Sequence, residues 1–326
     1  MKNYVQADFA ELMVLDQIPE EIEATPLECA VGVMAYNEEA NIANVLERLL
    51  QQKTSRVKVR EIIVVASGCT DNTVAIARRF EGPDSLIRVL EQPRREGKAS
   101  AINLFLQHTN AEIVMLVNGD NLPREDTVEN MVAPFHDPEI GMTGGHAVPL
   151  NTTDYFMGFA VNLLWSLHDE IARHNPKLGE VVAWRRSIGF IPRETAVDEL
   201  SLEMLVTEQG FELSYQPEAI VYNRGPETVS DFLKQRRRIH AGHLQVLNTH
   251  GYRAATLDGA TIVRALLSKA KWEARWLTWT AGTVALEVIG RTLGSLDFYT
   301  KKKHTVWQRV DTTKVLLPQG NSDLIG

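Results

Sequence analysis

The sequence predicts an α/β protein with a mostly parallel central sheet covered by helices on both faces, and three observations carry that expectation. Apolar runs of strand length recur along the chain, and each breaks at a short polar turn. The segments after those turns place apolar residues at helical spacing on one side. The connections are short, so each strand, turn and helix returns the chain to the same sheet by a crossover.

The first unit opens with Cys29-Ala30-Val31-Gly32-Val33-Met34-Ala35 and breaks at Tyr36-Asn37-Glu38-Glu39. Asn41 is placed to open the following helix, which carries Ile42, Val45, Leu46, Leu49 and Leu50 on one face. A second unit repeats the pattern: strand Glu61 to Ala66, turn Ser67-Gly68-Cys69-Thr70-Asp71-Asn72, and a helix from Thr73 to Phe80. A third short strand around Ile87 to Leu90 leads through the polar Pro93-Arg94-Arg95-Glu96-Gly97-Lys98 into a helix bearing Ala99, Ile102, Leu104 and Phe105. The strand that begins at Ile113 then runs into Asn118-Gly119-Asp120-Asn121. Ligands of open α/β sheets bind beyond the carboxyl ends of the strands, so an acid there points into a site, where hard oxygen suits Mg²⁺ or Mn²⁺. The same tetrapeptide is also ordinary turn chemistry.

Further along, Asp198 and Glu199 precede an apolar helix with Leu202, Leu205 and Val206 facing inward. Adjacent acids in a first turn suit the helix dipole, and a carboxylate held there can also act as a base. Lys234-Gln235-Arg236-Arg237-Arg238-Ile239-His240 concentrates positive charge in a chain of net charge −8. On a helix these side chains point several ways, so they cannot all meet one ligand. Arg185 and Arg186 end a predicted strand and are either contacts for an anionic acceptor or a surface pair. His240 and His243 are read as helix-surface histidines, because no acid pair accompanies them. No G-x-G-x-x-G follows the first strand, which disfavours a dinucleotide-dependent dehydrogenase.

Taken in order, these segments resemble the family 2 glycosyltransferases, which have a GT-A fold. Ala35-Tyr36-Asn37-Glu38-Glu39 is similar to the first nucleotide-binding motif, Ser67 to Thr73 to the second, and Gly97-Lys98-Ala99 with Ala101-Ile102-Asn103 to the third. Asn118-Gly119-Asp120 stands in the place of the DxD motif, Val197-Asp198-Glu199 in that of the Thr-Glu-Asp motif, and Gln235 to Ile239 in that of QxxRW. The resemblance spans about residues 28 to 250. It implies an inverting, metal-dependent glycosyltransferase that moves a sugar from a nucleotide diphosphate donor of UDP or GDP type to a lipid-linked or glycan acceptor. The catalytic candidates are Glu199, which falls in the register of the usual aspartate, and Asp198. The donor-binding candidates are Ala35, Tyr36, Asn37, Glu38, Ser67, Lys98, Asn118, Gly119, Asp120, Gln235, Arg237 and Arg238. Asp120 is the expected metal ligand, for Mg²⁺ or Mn²⁺.

The chain departs from the family pattern at three places. Ala66-Ser67 replaces a pair of aspartates that often reads the nucleobase, Asn118 replaces the first acid of DxD, and Ile239 replaces the tryptophan of QxxRW. Two other readings therefore stand beside the first: a polyprenyl-phosphate sugar synthase, and a catalytically silent nucleotide-sugar binding protein.

With 326 residues, 44% hydrophobic and 23% charged, the chain can bury a large core. The expected organisation is an N-terminal extension over 1–27, a catalytic domain over 28–250, and a C-terminal helical segment over 251–326. The N-terminus is acidic and lacks an apolar run, and the two cysteines, Cys29 and Cys69, fall in or beside strands. That suits a cytoplasmic enzyme with reduced thiols and no secretory leader. The stretch from Leu277 to Leu286 is apolar but is interrupted by Glu287 and Arg291, short of a spanning helix. Trp272, Trp276, Trp279 and Trp307, with Lys269, Lys271, Lys301, Lys302 and Lys303, give the mixture of indoles and cations expected at a membrane surface. Peripheral attachment to the inner face of a membrane is the first expectation, a helical hairpin packed on the catalytic domain or a contact between subunits the second, and nucleic acid is not an expected partner.

Overall fold

A computed structural model describes residues 25–302 together with Thr313. The N-terminal extension up to residue 24, and Lys303 and Trp307 of the expected membrane-facing set, lie outside the described residues.

The expected units form in order: β1 (Leu27–Ala35), α1 (Ile42–Leu50), β2 (Val57–Ser67), α2 (Thr73–Ala77), β3 (Ile87–Gln92), α3 (Lys98–His108) and β4 (Ile113–Asn118). The predicted helix to Phe80 divides, because its last turn, Arg78–Phe80, tightens to a 3₁₀ turn. β5 (Leu122–Pro123), α4 (Thr127–Val132), β6 (Ile140–Pro149), α5 (Phe156–His174), β7 (Val182–Arg185), α6 (Asp198–Glu208) and β8 (Glu212–Asn223) complete the sheet and its layers. α7 (Val229–His250), α8 (Gly259–Ser268) and α9 (Ala274–Tyr299) follow.

The sheet has eight strands in the order β3-β2-β1-β4-β7-β6-β8-β5. Its first half, β3 to β4, is parallel throughout. The second half is mixed: β7 runs antiparallel to β4 and β6, β5 antiparallel to β8, and only β6 and β8 pair in parallel. The apolar runs predict strands but not their direction, which is set by the connections between them.

Alternation along β1 explains its uninterrupted apolar sequence. Cys29, Val31, Val33 and Ala35 pack with Ile42, Val45, Leu46 and Leu49 of α1 and with α4. Ala30 and Met34 face the other way, toward Ile102, Phe105 and Leu106 of α3 and Leu202 and Val206 of α6. Gly32 lies on that second face, where an added Cβ would stand 2.8 Å from the Phe105 ring. Each face of the sheet is thus covered, and the carboxyl ends of β1, β2 and β4 open to the same side.

α9 packs along α7, and the chemistry of that contact is unusual. Arg236 donates to both carboxylate oxygens of Glu287 at 2.6 and 2.8 Å, and Arg237 forms a two-pronged pair with Asp297. Gly290 and Gly294 let the helices approach: a Cβ on Gly294 would lie 2.6 Å from the Arg237 carbonyl. Thr280, Thr283 and Asp297 of α9 are buried, whereas Leu277, Val284, Val288, Ile289 and Leu296 are exposed. The helix turns its polar side inward and its aliphatic side outward. Trp276 packs against α5 and α8, and Trp279 meets Phe156 and Phe159 edge-on, while Trp272 is 93% exposed. No described helix is long and apolar enough to cross a membrane.

Candidate active site

The turns after β1 and β2 are laced together. Asn37, whose φ of 53° places it in the left-handed region, donates to Thr70 Oγ1 at 3.0 Å and accepts from the Thr70 amide at 2.8 Å. The Glu38 amide donates to Thr73 Oγ1 at 2.7 Å, and the Glu39 amide donates to Asp71. Asn41 caps nothing with its side chain; it donates to Glu38 Oε2 at 3.0 Å. Ala35 is buried in the core, and the exposed side of Tyr36 is overlaid by the Arg95 guanidinium 3.7 Å from the ring centroid. Ser67 is buried and donates to Gln92 Oε1 at 2.7 Å.

The turn after β4 lies against the first motif. The Gly119 amide donates to the Met34 carbonyl at 2.9 Å, and a Cβ at Gly119 would stand 2.9 Å from Glu38 Cγ and 3.3 Å from that carbonyl. Glu38 is 3% exposed and cannot swing away. Gly119→Ala is therefore expected to cost about 1–3 kcal/mol of stability through overpacking, read as a lower urea midpoint with an unchanged slope.

Sequence-distant charges meet beside these turns. Lys98, at the start of α3, donates to Glu199 Oε1 at 2.5 Å and lies 3.9 Å from Asp198 Oδ2. Arg238 donates to the Ala196 carbonyl at 2.7 Å and interacts electrostatically with Glu199, Asp198 and Glu180. Burial lowers the Arg238 guanidinium to about 10, although all three carboxylates favour its charge. Lys98 is raised: burial opposes its charge, and Glu199 and Asp198 more than offset that.

The two candidate catalytic acids diverge. Burial works against ionising Glu199, but the Lys98 ammonium overcomes it and holds the carboxyl at about 2. The Asp198 side chain is 1% exposed and neither of its oxygens has a hydrogen bond, so burial lifts it to about 7 against the pull of Lys98. A carboxyl that keeps its proton in the fold to about 7, but releases it near 3.9 when unfolded, makes stability fall as pH rises through that window. Asp198→Asn is expected to flatten the dependence of the urea midpoint on pH between about 4 and 7.

Glu180, which the sequence did not single out, joins this cluster. It precedes β7 with φ at 60°, a left-handed conformation that costs a non-glycine residue about 1–3 kcal/mol. Asn118 and Asn121 donate to its carbonyl, each at 3.3 Å, and to its Oε2, at 3.5 and 3.3 Å. Burial raises its carboxyl, as do the nearby charges of Asp120 and Glu199. The signal that could have found it is register: Leu116 of β4 pairs with Val182 of antiparallel β7, which sets the residue two before Val182 beside Asn118.

Other expectations need correction. Arg237 was expected at the donor, but its pairing with Asp297 commits it to the α7–α9 contact, and Arg236 is committed there with Glu287. Gln235, half-buried on α7 with no side-chain hydrogen bond among the described residues, is not drawn into that contact and stays a donor-binding candidate. Arg185 pairs in register with Ile113, at the other end of β4 from Asn118, and donates to the carbonyls of Phe135, Asp137 and Ile140. It ties loops together instead of facing an acceptor. His240 is half-buried and contacts Ser295 at 3.1 Å, whereas His243 is buried and is not the surface residue expected. Among the described residues no three His, Cys, Asp or Glu side chains converge as a metal cage. Asp120 still suits Mg²⁺ or Mn²⁺, which need one or two protein carboxylates when phosphates and water supply the remaining oxygens.

The same fold occurs among known proteins. The mannosyltransferase PcManGT from Pyrobaculum calidifontis, solved with GDP-Man and Mn²⁺, superposes with a TM-score of 0.61 at 21% identity, over 86% of this chain and 89% of that one. It shows the GT-A fold. Poly-beta-1,6-N-acetyl-D-glucosamine synthase of Staphylococcus aureus is 25% identical over 224 residues, which cover 65% of this chain and 53% of the relative. The Staphylococcus epidermidis protein of that name is 22% identical over the same shares. The chain thus spans about half the length of the curated relatives it matches. The family pattern described as "Glycosyl transferase family 2" matches residues 30–183, and "Glycosyl transferase family group 2" matches 113–293, more than half of the chain. By these matches, the chain belongs to glycosyl transferase family 2.

Proposed function

We propose that the protein is an inverting glycosyltransferase that moves a sugar from a nucleoside diphosphate donor to a hydroxyl of a lipid-linked or glycan acceptor. The observation that carries this reading is the convergence of Lys98, Asp198, Glu199 and Arg238, joined through Glu180 to the turn that presents Asp120. Transfer needs a base on one side of the anomeric carbon and a stabilised leaving diphosphate on the other. The Asp198–Glu199 pair takes the acceptor proton, and Asp198 has the greater proton affinity of the two at neutral pH. Arg238 supplies positive charge for the departing diphosphate, while Lys98 holds Glu199 ionised. A divalent cation held at Asp120, Mg²⁺ or Mn²⁺, would add Lewis-acid neutralisation of the same charge. The laced turns at Asn37, Glu38 and Ser67, with Tyr36 under Arg95, form the wall on which the nucleoside rests. Support for a nucleotide-sugar donor comes from the GDP-Man complex of the mannosyltransferase.

In this reading residues 28–250 form the catalytic body and the segment from 251 onward attaches it to the cytoplasmic face of a membrane. The outward aliphatic side of α9, with Trp272, Lys271 and Lys302 exposed near its ends, supports such attachment. The test of function is a thermal-shift and calorimetry panel of UDP-, GDP- and dTDP-sugars with and without Mn²⁺ or Mg²⁺. One nucleotide that binds only with metal identifies the donor, and no binding by any member overturns the reading.

A further inference from the structure

Asn118 leaves the strand-end motif one acid short, and the fold brings another carboxylate to the same place. β7 runs antiparallel to β4, so the chain entering β7 passes the carboxyl end of β4. Glu180 is the residue delivered there. Its side chain is wrapped by the turn that carries Asp120, through Asn118 two residues before that acid and Asn121 one residue after it.

The two asparagine amides both bond Oε2 of Glu180, and Oε1 accepts no hydrogen bond among the described residues. One oxygen is thus oriented by the protein and the other is left with its capacity unspent. The carboxylate lies in the field of Asp120 and Glu199, both like charges. Lys98, which is paired with Glu199, and Arg238 offset part of that repulsion. The backbone at Glu180 is also held left-handed, by a turn in which the Val181 amide donates to the Gly179 carbonyl at 2.7 Å. That turn fixes the direction of the side chain before any ion arrives.

We propose that Glu180 is the second protein ligand of the divalent cation held at Asp120, supplying from the start of β7 the carboxylate that Asn118 does not. The inference rests on the functional reading above, since it takes the cation of the donor site as given. Two carboxylates with substrate phosphates and water make an oxygen set suited to Mn²⁺ or Mg²⁺.

The test is Mn²⁺ binding by electron paramagnetic resonance titration on the full chain, with Mn²⁺ alone and with UDP or GDP. Wild type is compared with Glu180→Gln, Asp120→Asn and the double variant Asn118→Asp with Glu180→Gln. The glutamine side chain in Glu180→Gln keeps an oxygen for the asparagine amides and removes the charge, so the thermal midpoint of that variant should stay near that of wild type. The expected result is Mn²⁺ affinity weakened by at least about tenfold in Glu180→Gln, and recovered when Asn118→Asp restores an acid to the turn. Wild-type affinity in Glu180→Gln, with loss confined to Asp120→Asn, overturns this inference and leaves the functional reading standing. Absence of Mn²⁺ binding in wild type, with either nucleotide, overturns both.

Discussion

Asp120→Ala is expected to abolish metal-dependent binding of the nucleotide sugar and to lower turnover by about 10²–10³-fold, the usual loss when one preorganised group facing a developing charge is removed. Asp120 follows Gly119 in a turn pinned to the Met34 carbonyl, so its position is set by the sheet before any ligand arrives. The substitution leaves that pin in place. A thermal-shift titration should therefore show a stable protein that nucleotide sugar with Mn²⁺ no longer stabilises. Retained turnover at the wild-type rate would remove Asp120 from the mechanism.

The second large effect is expected at the acid pair. Asp198→Asn and Glu199→Gln should each leave metal-dependent nucleotide binding intact and lower kcat by about 10²–10⁴-fold, the range of a lost general base. The pH profile separates their roles. Wild-type kcat/KM should rise with pH through the region near 7 where Asp198 gives up its proton. Glu199 is one of the charges that raises Asp198, so Glu199→Gln should move the limb of its residual activity to lower pH. Asp198→Asn should have no such limb. If Glu199→Gln left the limb where it is, the two acids would not share one site.

Much of the parallel half of the fold was legible, because each of its strands is an apolar run closed by a polar turn. The direction of β7 was not, since Val181-Val182-Ala183-Trp184 reads the same whichever way the strand enters the sheet. That one ambiguity concealed Glu180, whose place beside Asn118 exists only in the antiparallel register. Lys98 and Glu199 could be named separately from their motifs, but their contact joins residues 101 positions apart and no local pattern encodes it. The arginine run shows the opposite failure. Three consecutive arginines on a helix point about 100° apart, so sequence could say that they diverge but not which one turns to the acids. Arg238 does, while Arg236 and Arg237 turn to Glu287 and Asp297.

Those last two pairs fix how α9 is rolled about its own axis. A helix with an aliphatic stripe would ordinarily rotate to hide it against its neighbour. Here a half-turn roll would strand two guanidiniums on α7 and carry two carboxylates away from them, and it would drive bulky side chains into the space that Gly290 and Gly294 leave open. Arg236 and Arg291 hold Glu287 at about 2 against the opposing effect of burial, so this restraint persists well into acid. The stripe of Leu277, Val284, Val288 and Leu296 is consequently kept facing outward by electrostatics, and α9 presents one fixed azimuth to whatever lies beyond the protein.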